Sequence, residues 1–148
     1  MNKIWISFVL SFGCSSLASA KTYSTAFNAS YKRVWKSTLI SLSKYPLDKN
    51  DKASGELITS TIHSDEVFKP YSQKVRSNQQ YKLFINVERR KINGRKAIVV
   101  KVEKKPLLKG DFLNDDKQLV SSGVEESVLL YRIAREVKID RIVEKIFD

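Results

Sequence analysis

The chain has 148 residues, and its 27 lysines and arginines outnumber its 16 aspartates and glutamates, giving a formal net charge of +11. That length fits one domain large enough to bury a core of its own. A single cysteine rules out an intrachain disulfide, and a single histidine argues against a histidine-based metal cage, which needs three or four converging ligands.

In chain order the first element is a leader. Lys3 supplies a positive start, Ile4 to Leu10 form a short apolar core, Gly13 interrupts it, and Ala18-Ser19-Ala20 places small residues where a signal peptidase requires them. The apolar run falls short of the roughly 20 residues needed to span a bilayer. Residues 1–20 are therefore expected to be a removable secretory signal and 21–148 an exported α+β domain. That domain would be periplasmic, with outer-membrane association allowed for and no transmembrane segment after processing. Gly13-Cys14-Ser15 invites a lipid-anchored alternative. However, Ser11 and Phe12 stand where a lipoprotein signal wants leucine and a small residue, so cleavage after Ala20 is preferred.

Thr22 to Phe27 alternates as a strand, with Tyr23, Thr25 and Phe27 on one face. Asn28 or Ser30 can then cap a helix over about 30–44 whose stripe is Tyr31, Val34, Trp35, Thr38, Leu39 and Leu42, and Tyr45-Pro46 stops it. Asp48 to Gly55 reads as a polar turn. A β-branched strand follows, with Glu56, Ile58, Ser60 and Ile62 on one face and Leu57, Thr59 and Thr61 on the other. His63 to Gln80 is polar and irregular. Tyr81 to Arg90 is the clearest strand, with Tyr81, Leu83, Ile85 and Val87 facing in. Asn93-Gly94 suits the positive φ of a type I′ hairpin turn. The returning strand presents Ile98, Val100 and Val102 and is expected to end at Pro106. Lys109 to Ser121 is again polar.

Ser122-Gly123-Val124-Glu125 has capping-box spacing and opens the last helix. There Leu130, Ile133, Ala134 and Val137 make one stripe, while Ile139, Ile142, Val143, Ile146 and Phe147 make a second on nearly the opposite side. Either the chain bends near Asp140 and packs the second stripe on the same core, which is slightly favoured, or the helix runs on. In the second case Ile142, Ile146 and Phe147 are a partner site.

The search for chemistry returns little. His63 stands alone, there is no HExxH, CxxC, GxSxG or phosphate-binding glycine loop, and Asp115-Asp116 and Glu125-Glu126 read as solvated charge. The expectation is a non-enzyme without cofactor or metal. Basic clusters are plentiful: Lys32-Arg33-Lys36, Arg89-Arg90-Lys91, Arg95-Lys96 and Lys104-Lys105. Arg89, Arg90, Lys91, Arg95 and Lys96 flank one hairpin and are the candidate contact for an envelope protein or an anionic envelope surface, peripheral membrane contact included. Together with Trp35 or Tyr71 such clusters could make a nucleic-acid face, but export removes the usual ligand, so no nucleic acid is expected.

The element order of strand, helix, antiparallel strands and long final helix is that of helix-grip domains. Phe27-Asn28-Ala29-Ser30-Tyr31-Lys32-Arg33-Val34-Trp35 resembles the F-x-A-x-x-x-V-W opening of the BamC (NlpB) family of outer-membrane assembly lipoproteins. Asp51-Lys52-Ala53-Ser54-Gly55-Glu56-Leu57-Ile58-Thr59 is similar to that family's D-K-x-S-G-x-I-x-T turn and strand. The likeness covers about Tyr23 to Val102. It implies an antiparallel sheet packed on an N-terminal and a long C-terminal helix, and a binding module accessory to outer-membrane protein assembly. BamC-type proteins carry two such domains, and this chain has room for one. The alternative is a helix-grip carrier of a small apolar ligand or lipid. A carrier would need an empty cavity of roughly 300 Å³ beneath the last helix; bulky Tyr, Trp, Leu and Ile at inward positions predict a filled core instead.

Overall fold

The computed structural model describes residues 22–63, 79–108 and 117–147. Residues 1–20, expected above to be a secretory signal, and most of the two polar connections, and therefore Cys14, Phe68, Tyr71 and Asp115-Asp116, lie outside them.

The architecture is α+β, as the sequence implies. Strands β1 (Tyr23–Phe27), β2 (Leu47–Asp51), β3 (Glu56–Thr59), β4 (Ile62–His63), β5 (Gln79–Ile92), β6 (Arg95–Leu108) and β7 (Lys117–Gln118) form one sheet, and α1 (Tyr31–Ser41) and α2 (Val124–Phe147) are the helices among the described residues. The sheet order is β1-β6-β5-β3-β2, with β4 on β5 and β7 on β6, and every pairing is antiparallel. Its spine is the long hairpin β5–β6, in register from Gln79↔Leu108 to Ile92↔Arg95. Asn93 (φ 49) and Gly94 (φ 77) both take positive φ at the tip, the geometry a type I′ turn demands.

One face of the sheet carries the core. Leu57, Tyr81, Leu83, Ile85, Val87, Ile98, Val100 and Val102 meet Val34, Trp35 and Leu42 of the α1 segment and Leu129, Leu130, Ile133 and Val137 of α2. The alternation of β5 and β6 leaves the opposite face to charge pairs. Glu88 holds Arg90 (2.7 Å) and Lys101 (2.5 Å), Asp48 holds Lys82 (2.6 Å), and Lys105 lies 4.3 Å over the Phe84 ring.

Four local expectations need correction. Asp48 to Asp51 is strand rather than turn: β2 is an edge, where polar residues cost little, and only Lys52 to Gly55 turns. The strand after it breaks at Ser60-Thr61, which reverses the alternation, so Ile62 is buried on the same side as Leu57 and Thr59. At the break the Leu83 N–H donates to Thr59 Oγ1 (3.0 Å), replacing a ladder bond. Pro106 does not end β6. Its carbonyl accepts from Leu119 N (3.0 Å), so its donor-less nitrogen faces the same outer edge, and pairing with β7 begins only at Leu107. Finally, the cap of α2 is not made by Ser122. Ser121 Oγ accepts from Gly123 N (3.1 Å) and donates to Glu126 Oε1 (2.5 Å), and Gly123 takes φ +82 against the Tyr23 ring.

Candidate functional site

The β5–β6 hairpin runs on past the end of β1, where Phe27 pairs with Ile98. Beyond that point it overhangs the start of α1. Ser30 caps α1 by accepting from Arg33 N (3.3 Å), and Tyr31 opens its first turn. Between hairpin and helix lies an open cleft of about 520 Å³ with Ser30 and Tyr31 on one side and Arg89, Arg90, Lys91 and Lys96 on the other. The Arg89 guanidinium sits 4.1 Å over the Tyr31 ring, and the Tyr31 hydroxyl donates to Lys52 O (2.9 Å). Partial burial moves the Tyr31 phenol above its ordinary range, partly offset by Arg89.

The second predicted patch arrives at the same end. α2 is continuous from Val124 to Phe147, so the expected bend at Asp140 does not occur. The first stripe is buried and ends at Val137. Ile139, Ile142, Val143, Ile146 and Phe147 remain 42–82% exposed. Electrostatic contacts hold the last turns in place of apolar packing. Asp140 accepts from Arg33 (2.9 Å) and Lys36 (3.1 Å), Glu144 pairs with Arg33, and Arg141 Nη2 donates to Asn28 O (2.7 Å). Lys36 and, secondarily, Arg33 hold the Asp140 carboxyl below the usual carboxylate range. These contacts fix α2 antiparallel to α1, with its C-terminal end beside Asn28 and hence beside the cleft.

All eight candidate residues therefore gather at one pole of the molecule: Arg89, Arg90, Lys91, Arg95 and Lys96 on the hairpin, and Ile142, Ile146 and Phe147 on α2. Arg90 is there in an ion pair with Glu88, and of the other basic clusters only the exposed Lys32 joins this pole. Arg33 and Lys36 serve the helix clamp, Lys104 is buried, and Trp35 lies in the core, while Tyr71, the other aromatic named for a nucleic-acid face, lies outside the described residues.

Sequence reasoning missed one cluster. Glu126 is fully buried and Glu125 half-buried, not solvated. Lys104 Nζ pairs with Glu125 Oε1 (2.7 Å) and lies 4.7 Å over the Tyr81 ring, while Lys104 N donates to Glu126 Oε1 (3.3 Å). Burial, then the neighbouring Tyr45, Glu125 and Glu126, pushes the Tyr81 phenol up. The signal available in sequence was Lys104 falling in phase with Val100 and Val102. The cluster pins the start of α2 to β6. His63 is exposed at the end of β4, and among the described residues no group of three His, Cys, Asp or Glu side chains could hold a metal. Nor, among them, is any helix long and apolar enough to cross a membrane. No protein-family model matches the sequence, and no curated protein matches it.

Proposed function

We propose that this chain is a non-enzymatic, exported binding module of the cell envelope, and that its contact surface is the basic and apolar pole around the hairpin tip. The observation that carries the reading is the convergence of the hairpin cations and the exposed end of α2. Among the described acidic side chains near this pole, Glu88, Asp140 and Glu144 are in ion pairs, and Asp51 is tied into its own turn by Ala53 N (2.9 Å) and Ser54 N (3.2 Å). What the pole offers a partner is therefore uncompensated positive charge beside apolar side chains. The resemblance of 27–35 and 51–59 to BamC-type domains supports a role accessory to outer-membrane protein assembly. The carrier alternative has less support, because bulky side chains such as Leu83, Leu129 and Ile133 occupy the space between α2 and the sheet.

The test has two arms. Mass spectrometry of soluble and membrane envelope fractions should find a mature N-terminus at Lys21 without lipid. A photo-crosslinker at Lys96 should capture an envelope component, and charge reversal of Arg89 and Lys91 should abolish capture. An intact leader on a cytosolic protein, or substrate turnover that depends on His63, would overturn the reading.

A further inference from the structure

We infer that the pole docks on an anionic lipid bilayer surface, with Ile146 and Phe147 entering the interface and the hairpin lysines and arginines lying among the headgroups. The inference rests on the binding-module reading above and names its partner.

Three observations favour lipid over a protein partner. First, the apolar groups are projecting tips, not a groove. Phe147 is 82% and Ile146 69% exposed on the last turn of α2, and Ile92 is 41% exposed on a different element, the hairpin. Separate tips at one end match a fluid apolar layer, which has no shape of its own to complement. Second, the acidic Glu88, Asp140 and Glu144 at this end are held in ion pairs, and the exposed charge beyond those pairs, among the described residues, is mainly basic and long-stemmed. Lys32, Arg89, Lys91, Arg95, Lys96 and Lys145 are all exposed. Basic side chains flanking apolar ones are the pattern of interfacial helices and anionic-lipid contacts. Third, the end of α2 is clamped by Asp140, Glu144 and Arg141 to α1 and Asn28, so the tips are presented by a rigid element although they contribute nothing to the core. Like charge at the pole opposes pairing with a second copy through the same surface.

The test is sedimentation of the protein, purified with its natural N-terminus, against vesicles of phosphatidylglycerol with phosphatidylcholine and against phosphatidylcholine alone. The expected result is binding to the anionic vesicles only. It should be about tenfold or more weaker in the double variant Ile146→Ser, Phe147→Ser and in Lys91→Glu, Lys96→Glu. A control, Lys44→Glu with Lys105→Glu, makes the same change in net charge at the opposite end and should leave binding within about twofold, since screening confines the field to roughly 10 Å. Melting temperatures within about 2 °C of the parent keep folding out of the comparison. Equal weakening in the control, equal binding to both vesicle types, or indifference to the Ile146 and Phe147 changes would overturn the lipid contact. Absence of vesicle binding while Lys96 still crosslinks to an acidic envelope protein would overturn it too, but leave the binding-module reading in place. Absence of both would end both.

Discussion

Gly55 and Gly94 both sit at positive φ, yet they differ in what surrounds them. A Cβ on Gly55 would lie 2.2 Å from the Val87 carbonyl oxygen, which is backbone and cannot move aside, whereas one on Gly94 would meet nothing within 4 Å. Gly55→Ala should therefore lower stability by more than about 2 kcal/mol in urea unfolding, and Gly94→Ala by only about 1 kcal/mol, the cost of the dihedral alone. The buried cluster at Lys104 makes a second prediction. Lys104→Met leaves Glu125 without its cation beside the fully buried Glu126, and should cost about 3 kcal/mol; adding Glu125→Gln should restore part of it, a coupling readable in a double-mutant cycle. Neither prediction was available from sequence. The D-K-x-S-G resemblance marks Gly55 but not the strand it touches, and Glu125-Glu126 reads as solvated charge until Lys104 is seen to point inward.

Among the elements, β1, α1, β5, the hairpin turn and β6 as far as Pro106 were legible, because each declares itself by local periodicity: two for strands, 3.6 for helices, and Asn-Gly at the turn. Less legible were β2, an edge strand whose polar sequence is permitted only by its place in the sheet, and the break at Ser60-Thr61. The sequence placed both stripes of α2 but left open whether the helix bends between them. The answer lies in Asp140, whose partners Arg33 and Lys36 are more than a hundred positions away along the chain. Because Asp140 titrates below its ordinary value, its contribution is fully present above that value and lost as pH falls through the depressed one. Asp140→Asn should therefore lower the melting temperature near pH 7, and the gap to the parent should close between about pH 5 and pH 2. A gap that persists at the acid end would mean that the carboxylate charge is not what matters.

At the scale of the molecule, core and contact surface are separable. The buried stripe of α2 ends at Val137, and the residues after it are held by ion pairs and by one bond to the Asn28 carbonyl. Surface pairs of this kind contribute roughly 0–1 kcal/mol each. Truncation after Lys138 should thus leave a cooperatively folding domain, a few degrees less stable by calorimetry, that no longer binds anionic vesicles. Loss of folding would show that the last turns support the core after all.

What the sequence determined by itself is whatever short-range pattern controls: an α+β class, the hairpin with its cationic flanks, the helix at Tyr31, and a final helix apolar on two sides. What only the tertiary structure decided is which of those sides is wet, that Glu126 and Lys104 are dry, and that the hairpin and the end of α2 share a pole. Each of these depends on contacts between segments far apart in the chain, and pairing at such separations leaves no periodic trace in the residues themselves.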